Sequence, residues 1–258
     1  MSVSLGYQLV SQNLDRSLAS IAQRAPVKLE STYYLENYRS VTSIDEFLDD
    51  TRLFRFAMEA FGLSDLAFAK GYMRKILEEG VADPNSLANR STDARLAEFA
   101  RTFDFQGFGD LTMTRASTGQ AVVDRYIRQN LEEDAGNDDE GIRLALYFER
   151  QIANIDTPLE ILADAALSEV VRTVLGLPNE FAGVDIERQA EVISERVDLE
   201  ELKTPEGLDR FLTRFTALRD AQQAPTNPVL SLFGVGSSTT PTISLELALS
   251  FQSFRLGG

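Results

Sequence analysis

The sequence has 258 residues, 43% of them hydrophobic and 25% charged, a composition typical of a globular chain that buries a substantial core. Its 40 acidic and 25 basic side chains give a formal net charge of -15, which disfavours binding to nucleic acid and to anionic lipid. Because cysteine and histidine are both absent, disulfides, thiol nucleophiles, Ser-His-Asp catalysis and ordinary zinc sites are excluded.

The first segment is predicted to be one amphipathic helix over residues 7–22, because its apolar residues recur at steps of three and four. Pro26 is expected to interrupt it. The start of the chain has neither a basic region nor an unbroken apolar stretch, so a cleaved signal peptide is not expected. No segment approaches the length of about 18 apolar residues that a membrane span needs, so none is predicted.

The pattern of caps and stops predicts several further helices. Ser43 and Glu46 form a capping box that starts a long helix, and Gly62 ends it. Helices are also expected over residues 66–79 and 93–103.

Residues 105–114 contain two glycines and no sustained period, so they are predicted to connect two halves of the chain. A capping box at residues 117–120 is expected to open the next helix, which Gly136 ends before another begins. The acidic stretch 132–140 does not fit a calcium loop, since counting from Asp134 places Asp139 and Ala145 where glycine and glutamate are required.

The pattern of the first half then begins again. Leu9, Val10, Leu14 and Leu18 match Val122, Val123, Ile127 and Leu131 at an offset of 113, at which Tyr34 also matches Tyr147. Ser43, Glu46 and Gly62 match Thr157, Glu160 and Gly176 at an offset of 114. The sequence therefore predicts an all-α protein with two tandem copies of one helical module, at residues 1–107 and 108–222.

Residues 223–258 are predicted to be a linker followed by an amphipathic C-terminal tail. The tail's apolar residues are Ile243, Leu245, Leu247, Leu249, Phe251 and Phe254. The apolar residues at odd-numbered positions follow the alternating pattern of a strand, whereas Thr240 as a helix cap and Pro241 in the first turn favour a helix. A helix is therefore predicted. These side chains either pack on the chain's own modules or bind a partner protein, and both alternatives are open.

No set of residues selects a catalytic site. The chain has many carboxylates, but none is singled out as an acid and base pair, and residues 234–239 lack the lysine of a phosphate-binding loop. The sequence therefore predicts a protein that is not an enzyme and has no cofactor or metal. An alternative is a small-molecule pocket between the modules, where Tyr34 and Tyr147 would approach each other.

Five sequence motifs begin at Tyr33, Ser43, Ala57, Met73 and Ala145. They resemble a bacterial family of unknown function, the one numbered 1217 among such domains, and the resemblance extends to about residue 220. The resemblance implies helical proteins, some with repeated copies, that are linked with flagellar genes in motile bacteria. It implies no active site.

The leading hypothesis is therefore a non-enzymatic structural or assembly protein of the flagellum that binds a protein partner. It would be cytoplasmic, or exported by a flagellar-type route without a cleaved signal peptide. One alternative is a helical ligand-binding protein or enzyme with a pocket between the modules, and another is a cytoplasmic export chaperone or regulator.

Overall fold

The computed structural model describes residues 1–223, so the predicted linker and tail lie outside the described residues apart from residue 223 itself. All regular structure in the described residues is helical, which confirms the predicted fold class for them. The α-helices are α1 Val3–Ser11, α2 Leu14–Ala22, α3 Ala25–Asn37, α4 Ile44–Asp49, α5 Thr51–Ala60, α6 Lys70–Glu79, α7 Leu87–Arg90, α8 Ala94–Thr102, α9 Phe105–Phe108, α10 Gln120–Asp138, α11 Glu140–Gln151, α12 Pro158–Leu162, α13 Ala165–Leu175, α14 Ile186–Arg196, α15 Leu199–Leu202 and α16 Pro205–Gln223.

Two of the predicted long helices are in fact broken. The first divides into α1 and α2 at Asn13, whose side-chain amide donates to the carbonyl of Leu9 at 3.0 Å and so takes up one of the free acceptors at the end of α1. Pro26 lies in the first turn of α3, where a missing amide is tolerated, and does not interrupt a helix. The second divides into α4 and α5 at Asp50, whose carboxylate caps α5.

The predicted stop at Gly62 is confirmed, because this glycine has a φ of 68° in the left-handed region. The capping box predicted at residues 117–120 is wrong: α10 begins at Gln120 after Gly119, and no side chain caps it. The hydroxyl of Thr118 instead donates to the carbonyls of Thr112 and Arg115 in the turn before α10. Gly136 does not end that helix either, since α10 continues to Asp138.

Residues Met1–Asp220 form one compact unit that contains two hydrophobic clusters. The first cluster is rich in aromatic side chains, including Phe47, Phe54, Phe56, Phe99 and Phe103. The second is built mainly by α11 and α13. Burying this much apolar surface is the main source of stability for a helical unit of this kind.

The two clusters do not divide at residues 107 and 108, where the sequence analysis placed the module boundary. Val122 and Tyr126 of α10 belong to the first cluster, whereas Ala135 near the end of the same helix belongs to the second. Because α10 has 19 residues and is about 28 Å long, one helix is shared by both cores. Val3 and Tyr7 of α1 conversely belong to the second cluster.

Candidate functional site

A cleft of about 400 Å³ is lined by residues from both halves of the chain. The first half contributes Phe61, Asp93 and Arg95, and the second contributes Arg143 and Tyr147, among others. Cavities of this volume are large enough for a small molecule. The charged groups in the cleft therefore decide what chemistry it allows.

Tyr147 and Asp164 are fixed to each other and to a helix start. The Tyr147 hydroxyl donates to Asp164 Oδ2 at 2.6 Å, and Asp164 Oδ1 accepts from the amides of Ala166 at 2.9 Å and Leu167 at 3.0 Å, which caps α13. Burial, followed by the charge of Asp164, raises the pKa of Tyr147 above its ordinary value. The phenol therefore stays protonated near neutral pH and is not a general base.

The two arginines of the cleft are also paired. Arg95 makes a two-pronged contact with Asp93, with Nε to Oδ1 and Nη2 to Oδ2 both at 2.8 Å, and also donates to the carbonyl of Gly62. Arg143 donates from Nε to Glu140 at 2.9 Å. Hydrogen bonds to the acidic partner raise the pKa of each guanidinium despite burial. Because each arginine is already paired with a carboxylate, neither offers an unpaired positive charge to a substrate.

A buried ionic network lies beside the cleft. Glu132 of α10 is only 1% exposed and accepts from Arg128 Nε at 2.9 Å, Arg150 Nε at 2.8 Å and Arg150 Nη2 at 2.8 Å. Arg150 also stacks over the Tyr147 ring, with its guanidinium carbon 5.1 Å from the ring centroid. The sequence analysis missed this network, although the four-residue spacing of Arg128 and Glu132 on one helix was a signal for their pairing.

The structure does not bring Tyr34 and Tyr147 together in one pocket. Tyr34 is fully buried in the first cluster, where its hydroxyl donates to the carbonyl of Thr118 at 2.6 Å. A contact of the same kind as that of Tyr147 with Asp164 is made by Tyr33, whose hydroxyl donates to Asp50 at 2.9 Å. Tyr33 lies 114 positions before Tyr147, whereas the sequence analysis matched Tyr34 to Tyr147 at an offset of 113.

An apolar stripe lies on the outer face of α1. Leu5 and Leu9 are spaced four residues apart on α1 and are 59% and 58% exposed. Val3 and Tyr7 on the opposite face are buried. A helix in water usually exposes polar side chains on its outer face, so α1 is apolar on two sides.

A groove of about 410 Å³ adjoins this stripe. Leu9 lines the groove together with the more buried Ile21 and Leu131. Arg16 and Arg24 also line it, and Arg24 forms an ion pair with Asp134 at 2.7 Å. The sequence analysis missed the groove. The apolar period of residues 7–22 indicates one helix with one buried face, and it does not show that the chain forms two helices that pack on different hydrophobic clusters.

Among the helices of residues 1–223, none combines the length and apolar character needed to cross a membrane. In the same residues, no group of three or more carboxylates is placed to hold a metal ion.

The chain is similar to known proteins in two comparisons. Residues 60–208 match the family model described as a protein of unknown function, DUF1217. The crystal structure of protein AGR_C_984 from Agrobacterium tumefaciens is 39% identical in sequence and has a TM-score of 0.80, with 86% of this chain and 97% of that chain covered. No curated protein sequence matches the chain.

Proposed function

The chain belongs to the DUF1217 family of proteins of unknown function, and we propose that it is a non-enzymatic protein-binding component of the bacterial flagellar system. The single observation that carries the binding role is the exposed stripe of Leu5 and Leu9 on α1, beside the groove that Leu9 lines. Contiguous exposed apolar surface of this kind is typical of interaction sites. The flagellar setting rests on the family resemblance of the sequence motifs.

The proposed partner is an amphipathic helix that carries acidic residues beside its apolar stripe. Side chains four residues apart on α1 fit a helix laid along a groove, which is a common mode of recognition. Arg16 at the groove favours an acidic neighbour, whereas the chain as a whole carries a formal charge of -15 and repels acidic surfaces elsewhere.

Capture with purified protein tests this role. The double variant Leu5→Asp, Leu9→Asp is compared with the wild type and with Leu159→Asp, which changes an equally exposed leucine on α12. Burying two leucines is worth about 3 kcal/mol or more, so we expect more than tenfold weaker binding of the captured partner by the double variant only. Equal capture by all three proteins would contradict the proposed role of the stripe.

The identity of the captured protein distinguishes a structural or assembly role at the flagellum from a role as an export chaperone. A structural flagellar protein supports an assembly function at the flagellum, whether the chain acts in the cytoplasm or is exported without a cleaved signal peptide. An export substrate that is held in solution supports the chaperone alternative. Removing residues 229–258 tests the tail with its six apolar residues, because unchanged capture would leave it no role in binding this partner.

We also propose that the two halves are copies of one module. The support comes from contacts that recur 114 residues apart: Tyr33 with Asp50 and Tyr147 with Asp164, the partners being 17 positions apart in each case. Both aspartates cap the following helix through two amides. The capping glutamates Glu46 and Glu160 likewise accept at 2.7 Å from the amides of Thr42 and Asp156, which are 114 apart.

A second candidate function is binding of a polar small molecule in the cleft, favoured by its volume of about 400 Å³ and its charged lining. A ligand that binds the folded state raises its stability by mass action. A metabolite screen that raises the melting temperature of the wild type but not of Tyr147→Phe would support this candidate. A screen without any stabilising compound would count against it.

A further inference from the structure

Helix α1 is a terminal segment that packs on the second hydrophobic cluster. Val3 and Tyr7 on its inner face belong to that cluster, and the helix lies mainly against α11. A Cβ added at Gly6 would collide with Ile142 Cδ1 and lie 3.1 Å from Ile142 Cγ1, so the two helices are in close contact. Asp220 of α16 accepts from the amide of Val3 at 2.6 Å and so fixes the start of α1.

Helix α2 packs on the other cluster. Ile21 is buried in the first cluster, and Leu14 and Leu18 pack against it. The two helices are joined by Gln12 and Asn13 alone. Gln12 keeps right-handed helical angles, with φ -68° and ψ -19°, whereas Asn13 has φ -123° and ψ 34°. The direction of α1 relative to α2 therefore depends mainly on the backbone of one residue, Asn13.

The same spacing of apolar residues forms one uninterrupted helix in the second half of the chain. The residues that match Leu9, Val10, Leu14 and Leu18 at an offset of 113 all lie in α10, which runs without a break. At the position that corresponds to Asn13, α10 continues through the buried Tyr126. The pattern of α1 and α2 is thus compatible with a single helix over residues 3–22, about 30 Å long.

Straightening the chain at Asn13 would carry α1 away from its site on α11. Val3 and Tyr7 would then be exposed to water together with the surface of α11 that they cover, which is unfavourable. Every copy of this chain has the same site on α11 and the same carboxylate at Asp220. A second copy can therefore restore all of these contacts without any new surface, and exchange of an identical element between protomers is a low-cost route to a dimer.

We propose that two copies of this chain exchange their α1 helices, each α1 packing on α11 of the other copy while Asn13 becomes helical. The partner is a second copy of the chain, recognised through Val3 and Tyr7 on the inner face of α1. The exposed Leu5 and Leu9 lie on the opposite face, so the exchange does not rest on the proposed flagellar role or on the partner of the stripe. Because the dimer forms by mass action, its share rises with protein concentration.

Disulfide cross-linking between two different chains tests the exchange, because the natural sequence has no cysteine. Cysteines at Gly6 and Ile142 would face each other across the contact of α1 with α11. Chains with Gly6→Cys alone and with Ile142→Cys alone are mixed at high concentration and oxidised. Chains with Gly6→Cys and with Gly183→Cys, an exposed position with open space around it, measure disulfides that form by chance collision.

Variants at the hinge test the role of Asn13. Asn13→Ala favours the helical conformation at both hinges of the dimer, and it removes the hydrogen bond from the Asn13 amide to the Leu9 carbonyl. We expect it to raise the association constant by about tenfold, measured by light scattering. Inserting four glycines after Gln12 breaks the continuous helix and should lower that constant. Asn154→Ala, at an exposed position, is the matched control and should leave it unchanged.

We expect the mixed disulfide between Gly6→Cys and Ile142→Cys chains to exceed the collision control, and to increase when both chains also carry Asn13→Ala. A yield no higher than the control, with or without Asn13→Ala, would overturn the proposal. With both cysteines in one chain, oxidation of the monomer locks α1 in place and should abolish the dimer. A dimer that persists after this locking would also overturn the proposal.

A second pair of positions tests the same contact if Ile142→Cys fails to fold. A Cβ added at Gly141 of α11 would lie 2.8 Å from Val3 Cγ1, so Val3→Cys and Gly141→Cys are mixed in the same way. The expected yield and the result that contradicts the exchange are the same as for the first pair.

Discussion

Removing the charge of Glu132 is expected to be among the most damaging single changes in the chain. The carboxylate is 1% exposed and receives three hydrogen bonds of 2.8 to 2.9 Å from Arg128 and Arg150. The substitution Glu132→Gln keeps the shape but leaves both arginines without their shared counter-charge. Breaking a buried pair in this way costs about 3 to 5 kcal/mol, and we expect the lower end because the amide oxygen still accepts one hydrogen bond.

Urea unfolding of the wild type and Glu132→Gln gives the difference in free energy of unfolding, provided that the slope with urea is unchanged. For a unit of this size a loss of about 3 kcal/mol lowers the melting temperature by about 6 to 12 °C. The control is Glu140→Gln, which removes an exposed partner of Arg143 and is expected to cost at most about 1 kcal/mol. A Glu132→Gln variant within about 1 kcal/mol of this control would refute the reasoning.

Three further predictions test other parts of the structure. Asp50→Ala and Asp164→Ala each remove a helix cap, so each should lower the free energy of unfolding in urea by about 0.5 to 2 kcal/mol, and a much larger cost at one site would count against equivalent roles. Gly62→Ala places a side chain at a φ of 68° and should cost more than about 1 kcal/mol in a thermal melt, whereas Gly183→Ala, with open space around it, should not destabilise. The hydrogen bond from its arginine partner lowers the pKa of Asp134, so the small stabilisation by Asp134 is present above the unfolded value of about 3.9 and is lost as the pH falls through the lowered folded value. Asp134→Asn should therefore cost at most about 1 kcal/mol at neutral pH and less at pH 3, and an equal loss at both would contradict this.

The features that the sequence predicted well are local ones. The interactions of Ser43, Thr42 and Glu46 at the start of α4 lie within five residues of each other, and the turn at Gly62 needs only a left-handed glycine. Such patterns are set by the neighbouring backbone, so they can be read from a short stretch of sequence. The all-helical class of the described residues follows from many signals of this kind.

The features that the sequence did not predict depend on distant contacts. Asp220 fixes the start of α1 across 217 positions, and nothing near Val3 indicates this partner. Likewise, the apolar residues of the first 22 positions do not show that α1 packs on one core and α2 on the other. The contact with Asp50 that resembles that of Tyr147 with Asp164 is made by Tyr33 and not by Tyr34, and the sequence did not distinguish these adjacent tyrosines.

The swimming of a deletion strain tests most directly the central claim, a flagellar protein that works by binding a partner through α1. The strain is complemented with the wild type, with the double variant Leu5→Asp, Leu9→Asp, or with Leu159→Asp, at matched protein levels. We expect deletion to impair flagellar assembly or swimming, and only the wild type and Leu159→Asp to restore it. Normal swimming of the deletion strain, or full rescue by the double variant, would contradict the claim.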